Sequence, residues 1–229
     1  MKLKIPSFIK LQQKYSYPFK YGIMDKLYKK KLSKKGISWV LLPNGYYWKL
    51  DLTLAVHRWM VYGIYDLPFI TWVKKNLKSN SIIVDSGANI GQSTAYFSKI
   101  AKSGQVIACE PDDEAFDWLQ KCIIKKYIEN VDLINKGLGE TAKEAFLEVP
   151  TNGRELGLHA FWSTITDSNH GKKINVTTLE QELFERDIKN VSLWKLDVEG
   201  YEINALQGAL PLLENKQIEA LYIELAIKE

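Results

Sequence analysis

The chain has 229 residues, 46% of them apolar and 25% charged. This suits one α/β domain with an extension and excludes gross disorder or two full-size domains. The net charge of +4 is uneven: residues 1–35 carry eleven lysines against the single acid Asp25 (+10), leaving twenty basic and twenty-six acidic residues (−6) elsewhere.

In chain order, residues 1–36 are expected to form a basic N-terminal extension, with Pro6 and Pro18 interrupting any long helix. Its lysines alternate with Phe8, Tyr15, Tyr17, Phe19, Tyr21 and Tyr28. Such a segment is either a solvated lysine-rich arm or a peripheral contact with anionic lipid or another polyanion. Met1 to Pro6 lacks the apolar core of a signal peptide. No stretch reaches the roughly 20 apolar residues that span a bilayer. The expected location is therefore cytoplasmic, with membrane association through the basic arm as an option.

Residues 37–79 read as an accessory segment. Ile37 to Leu42 and Tyr46 to Leu52 are strands around Pro43-Asn44-Gly45, and Leu54 to Tyr62 and Leu67 to Leu77 are helices. From residue 80 to 229 short apolar runs alternate with helical patterns. The runs are Ser81 to Asp85, Gly104 to Glu110, Asn130 to Asn135, Val191 to Asp197 and Ile218 to Leu225; the helical patterns are Ser93 to Ala101, Asp112 to Tyr127 and Glu202 to Leu213. This alternation predicts βαβ units and a mostly parallel, doubly wound sheet. About fifty residues interrupt it between the third and fourth runs, with strand and helix character only over Lys173 to Thr178 and Leu179 to Arg186. That interruption faces substrate or is surface decoration. Cys109 and Cys122 fall in a predicted strand and helix, so a structural disulfide has no support.

The chemistry concentrates at the ends of the runs. Asp85-Ser86-Gly87-Ala88-Asn89-Ile90-Gly91 is a glycine-rich turn between a strand and a helix, the arrangement that holds nucleotide-like ligands. Gly87 and Gly91 are expected to let the backbone approach the ligand. Asn89 stands where a dinucleotide fingerprint has its middle glycine, which weakens a pyrophosphate reading and favours a ligand carrying an ammonium. Glu110 lies nineteen residues beyond Gly91, at the end of the next strand, where an acid binds ribose hydroxyls; Pro111 then turns the chain.

Asp197, Glu199 and Glu224 end neighbouring strands if the fourth and fifth runs are adjacent. The three carboxylates would then provide a general base or a divalent-metal set. Alternatively, Asp197 caps the next helix while Glu199 or Glu202 bonds its backbone. His159 is a second candidate base, with a plain surface histidine as the alternative. Trp162 is a candidate sugar-stacking residue, whereas the other tryptophans read as core.

The three blocks Val84 to Gly91, Glu110-Pro111 and Lys195-Leu196-Asp197-Val198-Glu199-Gly200-Tyr201-Glu202 resemble, in that order, the D-x-G-A-N-x-G, E-P and K-x-D-V-E-G motifs of FkbM-type methyltransferases. Tyr62-Gly63-Ile64-Tyr65-Asp66 is similar to the family's G-x-[YW]-E segment, with Asp in place of Glu. The resemblance covers about residues 50–225. It implies a Rossmann-like class I methyltransferase fold using S-adenosylmethionine to methylate a hydroxyl, often of a sugar. It also implies that Asp85, Gly87, Ala88, Asn89, Gly91 and Ser93 lie at the methionine end, with Glu110 and Pro111 at the ribose, Asn135 and Gly137 near the adenine, and Asp197 beside the cofactor.

The usual C-terminal hairpin of strands six and seven has little chain left to form it, so the edge would be covered by the N-terminal region or by a second subunit in a homo-oligomer. The acceptor expected is a carbohydrate or glycolipid. No nucleic-acid partner is expected, because no N-P-P-Y-type block for a flipped base is present. A nicotinamide-dependent oxidoreductase and a non-catalytic binding module of the same fold are the alternatives.

Overall fold

In the computed structural model, residues 2–63, 67–125, 128–148, 164–166 and 170–224 are described. The order of elements follows the alternation in the sequence. The accessory part contains β1 (Lys2–Leu3), α1 (Ser7–Gln12), α2 (Lys20–Ser33), β2 (Ile37–Leu41), β3 (Tyr47–Asp51), α3 (Ala55–Tyr62) and α4 (Leu67–Asn76). β2 and β3 pair antiparallel, and β1 joins β2 in parallel, giving a three-stranded sheet.

The N-terminal segment is anchored rather than wholly solvated. Ile5, Ile9, Met24 and Leu32 are buried in one cluster with Trp48, Leu50 and Ile90. Burial of these side chains outweighs the polar character of the lysines around them. Asp25 is held by both oxygens to the Arg58 guanidinium at 2.8 Å and accepts from the Tyr62 hydroxyl at 2.8 Å, fixing α2 to α3. The buried His57 Nδ1 accepts the Asp51 N–H at 2.8 Å, and burial holds its pKa down to about 4.

The central sheet comprises β4 (Ile82–Ser86), β5 (Gln105–Cys109), β6 (Val131–Ile134), β11 (Leu193–Leu196) and β12 (Leu221–Ile223), all parallel, in the order β12-β11-β4-β5-β6. Helices α5 (Gln92–Ile100) and α6 (Asp113–Lys125) follow the first two strands. The strand order reverses at β4, so the topological switch point lies where β4 adjoins β11, at the carboxyl ends that carry the motifs. This is the parallel, doubly wound arrangement anticipated from the alternation, and the Rossmann-like fold that the family resemblance implies.

Two expectations change. Residues 137–177 contain a second sheet rather than a mostly unstructured interruption: β7 (Gly137–Leu138), β8 (Lys143–Glu148), β9 (Thr164–Thr166) and β10 (Lys172–Thr177), in the order β7-β10-β8-β9. The single helix expected over Glu202 to Leu213 is two, α8 (Glu202–Gln207) and α9 (Leu210–Glu214), preceded by α7 (Leu179–Phe184). The break has a packing cause. A Cβ at Gly208 would lie 2.0 Å from the Gly139 carbonyl oxygen, and Pro211, which has no N–H, sits in the first turn of α9.

Candidate active site

The turn after β4 is closed by its own protein. The N–H groups of Gly87 and Ala88 both donate to the Cys109 carbonyl at 3.0 Å. Asn89 N–H donates to Glu110 Oε2 at 2.7 Å, Ile90 N–H to Asn89 Oδ1 at 2.6 Å, and Gly91 N–H to the Ala88 carbonyl at 2.8 Å. Asn89 has a φ of 52°, in the left-handed region that asparagine tolerates better than most residues.

The two glycines also have a packing role that the sequence did not show. A Cβ on Gly87 would stand 1.8 Å from the Asp197 carbonyl oxygen, and one on Gly91 would stand 2.4 Å from Leu119 Cδ1 and 2.7 Å from Trp48 Cζ2. Both face protein, so their small size lets the turn pack against the β11 loop on one side and against α6 and β3 on the other. Trp48, fully buried, also donates its indole N–H to the Ile90 carbonyl at 2.6 Å. Nothing near Trp48 in the sequence marks it as a support for a turn forty-two residues away.

Beside the turn, β4 and β11 lie in register with Asp85 opposite Lys195. Asp85 is fully buried; Oδ2 accepts the Thr94 hydroxyl at 2.6 Å, and Oδ1 lies 3.5 Å from Lys195 Nζ without a hydrogen bond. Lys195 Nζ donates to Asp197 Oδ2 at 2.9 Å. Burial raises the Asp85 pKa, with the Lys195 ammonium pulling the other way. Burial opposes the charged Lys195 as well, yet Asp197 and Asp85 outweigh it and hold its pKa above the ordinary lysine value. Lys195 and Thr94 were absent from the expected site. Lys195 was read only as part of a motif, and Thr94 as one residue of a helix.

Glu110 ends β5 with both carboxylate oxygens engaged by backbone, Oε2 by Asn89 and Oε1 by the Asp112 N–H at 2.8 Å. Burial pushes its carboxyl up to about 7 against the pull of these donors. Asn135 donates its side-chain amide to the Glu110 carbonyl at 3.0 Å and thereby fixes the Glu110-Pro111 corner. Gly137 opens β7, and a Cβ there would meet Ile165 Cδ1 at 2.6 Å. Ser93 is partly exposed in the first turn of α5.

The loop after β11 is shaped by Glu202, whose Oε1 accepts from Val198 N–H at 3.3 Å and Gly200 N–H at 3.0 Å; these are loop groups, and the following helix is N-capped at Tyr201 rather than by the Asp197 side chain. Glu199, at φ 53°, accepts the Thr164 hydroxyl on its carbonyl at 2.9 Å. Burial first, then the charges of Asp197 and Glu224, pushes its carboxyl up to about 7.

The expected metal set is not assembled: among the described residues no three His, Cys, Asp or Glu side chains are grouped to hold an ion. Asp197 instead takes the Lys195 ammonium as its counter-charge, and Glu224 follows β12, its N–H donating to the Leu196 carbonyl at 3.0 Å. His159, Trp162 and the segment Ile64 to Asp66 lie outside the described residues.

The strand order defines a doubly wound α/β protein with carboxylates at its switch point. A family model described as the methyltransferase FkbM domain matches residues 85–226, more than half of the sequence. The chain belongs to the FkbM methyltransferase domain family. It is 29% identical over 145 residues to Methyltransferase 1 of Beauveria bassiana (strain ARSEF 2860), a match covering 56% of this chain and 58% of that relative, so it spans little more than half the relative's length. Among solved structures, a human methyltransferase 10 domain containing protein aligns over 88% of this chain and 72% of its own at 12% identity and a TM-score of 0.39. A SAM dependent methyltransferase from Agrobacterium tumefaciens aligns over 72% of this chain and 45% of its own at 9% identity and a TM-score of 0.39. Likenesses at those scores carry no argument here; the fold rests on the strand order.

Proposed function

We propose that the chain is an S-adenosylmethionine-dependent O-methyltransferase acting on a hydroxyl of a sugar, glycan or glycolipid. The observation that carries the reading is the closed turn. All five N–H groups from Gly87 to Gly91 are bonded within the protein, and the Glu110 carboxylate takes the Asn89 donor that an anionic ligand would need. A pyrophosphate would face a carboxylate and saturated donors, which argues against a nicotinamide dinucleotide. A ligand bearing an ammonium and a ribose diol fits instead. Asp85 Oδ1 is buried with the Lys195 ammonium at 3.5 Å and no hydrogen bond, and the oxygens of Glu110 retain lone pairs for hydroxyls.

S-adenosylmethionine, when bound, supplies an electrophilic methyl group. Asp85, Asn89 and Glu110 would hold it, with Asn135 fixing Glu110 from behind. Lys195 keeps Asp197 and Asp85 from repelling each other, so the acids can share one buried edge. Glu199, raised to about 7, is poised to accept the hydroxyl proton of the acceptor near neutral pH. The remaining contribution is alignment of the two reactants. The sugar-type acceptor rests on the family resemblance alone.

The test is mass spectrometry of glycans and glycolipids from cells with and without the gene, followed by reaction of the purified protein with the affected molecule. A mass gain of one methylene, dependent on added S-adenosylmethionine, supports the reading. Cofactor binding without methyl transfer to any hydroxyl compound that changed in the cells would replace it with a non-catalytic module.

A further inference from the structure

We propose that the outer face of α2 docks on an anionic lipid bilayer. At 100° per residue Phe19, which precedes the helix, and Ile23 and Leu27 within it form one stripe; Lys26 and Lys30 fall beside it and Lys34 continues the same face. The three apolar side chains are 87%, 46% and 61% exposed, respectively. Met24 and Leu32 are buried on the opposite face, so packing fixes which side of the helix points outward. Phe8 and Leu11 of α1 are also exposed, and the Phe8 ring lies 6.4 Å from that of Tyr28 on α2. Apolar side chains flanked by lysines on a helix that lies along the surface are the pattern of an interfacial element.

Charge points to the same occupant. The only acid among residues 1–35 is Asp25, and its carboxylate is engaged by the Arg58 guanidinium and the Tyr62 hydroxyl, so eleven lysines of this segment face a single acid that already has a cationic partner. Lys26, Lys29, Lys30 and Lys34, with Asp25 and Ser33, line a shallow concavity along α2 that suits phosphate headgroups. Residues beyond 35 sum to −6, so the molecule is dipolar and an anionic surface would turn this face toward itself.

Phe19 adds an independent point. Its φ is 59°, a left-handed conformation unfavourable for a bulky residue, and its ring has almost no contact with the fold. Strain and exposure at one residue, uncompensated within the protein, fit a side chain whose partner is external. Nucleic acid is a poorer match. Two of the three stripe side chains, Ile23 and Leu27, offer neither a stacking face nor a hydrogen bond, and none of the eleven basic residues in the segment is an arginine, so only Phe19 of the stripe could stack on a base.

The test sediments the full chain with phosphatidylcholine vesicles, with mixed phosphatidylcholine and phosphatidylglycerol vesicles, and against a single-stranded oligonucleotide at matched salt. Binding to the mixed vesicles, at least about tenfold stronger than to phosphatidylcholine and weakened by salt, is expected. The Ile23→Ser/Leu27→Ser variant is expected to lower partitioning about tenfold or more, because it removes buried apolar area. Lys26→Glu/Lys30→Glu should lower it at least as far, while Lys189→Glu leaves it unchanged. Phe19→Asn separates docking from folding: asparagine accepts the left-handed backbone, so the variant should melt no lower than wild type yet bind vesicles less. No sedimentation with mixed vesicles, partitioning indifferent to the serine substitutions, or tighter binding to the oligonucleotide would overturn the proposal. None of these readouts depends on methyl transfer, so failure here leaves the proposed activity standing and the reverse also holds.

Discussion

The Glu110 carboxylate accepts the Asn89 N–H at 2.7 Å and so joins the end of one sheet strand to the turn that follows its neighbour. Because Oε1 holds Asp112 at the same time, replacing the acid by its amide sets an NH2 group against a backbone donor. Glu110→Gln is therefore expected to lose about 1–3 kcal/mol of stability and to weaken S-adenosylhomocysteine binding roughly tenfold to a hundredfold, read by denaturant unfolding and calorimetry. The same bond has a pH signature. A carboxyl raised from 4.5 to about 7 makes the native state hold more protons than the unfolded one, so stability present below pH 4.5 is lost as pH rises through 7. Glu199 carries the same sign, whereas His57, lowered from 6.5 to about 4, gains stability with rising pH only up to about 6.5. Wild type should thus lose about 1 kcal/mol to Glu110 between roughly pH 6.5 and 8, and Glu110→Gln should lose less over that interval. A urea midpoint that rises across this interval would count against the assignment.

Packing around the turn gives a second expectation. Gly87→Ala places a Cβ 1.8 Å from backbone that cannot yield, at a φ of 72°, and should lower stability by more than about 3 kcal/mol. Gly91→Ala meets the ends of the Leu119 and Trp48 side chains, so a cycle with Leu119→Ala should show the double variant less destabilised than the sum. Trp48→Phe deletes the indole bond to Ile90 and should cost about 1–2 kcal/mol while loosening cofactor affinity. Additive Gly91 and Leu119 effects would show that the contact is not the reason for the glycine.

Lys195 is the counter-charge of two acids. Lys195→Met would leave Asp85 and Asp197 facing each other with little solvent and is expected to cost about 3–5 kcal/mol at pH 8. The loss should shrink at pH 5, because the buried Asp85 carboxyl, already raised by burial and then without its ammonium, can take up a proton. An equal loss at both values would mean that packing of the lysine stem, not its charge, matters.

If Glu199 accepts the hydroxyl proton, the methyl-transfer rate should rise with pH through an apparent pKa near 7. Glu199→Gln should lower it by roughly a hundredfold or more with S-adenosylhomocysteine affinity little changed. A full rate in the amide variant would move the base elsewhere.

The parallel sheet was legible because its strands are compact apolar runs, most of them ending at an acid, and the helices between them keep a 3.6-residue period. The small sheet was hidden. β8 has only Ala145 and Leu147 buried, between charged residues, so its alternation is short and weak. The anchoring of residues 1–36 was masked in the same way by eleven lysines around a few widely spaced apolar residues. Asp85 and Glu110 could be picked out because they end strands. Trp48, Thr94 and Lys195 could not, since their roles depend on register and long-range packing. The packing role of the glycines was not legible because sequence tells where a Cβ is excluded but not what excludes it.

The most direct test titrates S-adenosylhomocysteine and NADH into the same preparation by calorimetry, with Glu110→Ala in parallel. Saturable binding of S-adenosylhomocysteine, sharply weakened in the variant, with no heat from NADH, is the predicted result. Saturable NADH binding, or S-adenosylhomocysteine affinity untouched by Glu110→Ala, would contradict the reading of the closed turn.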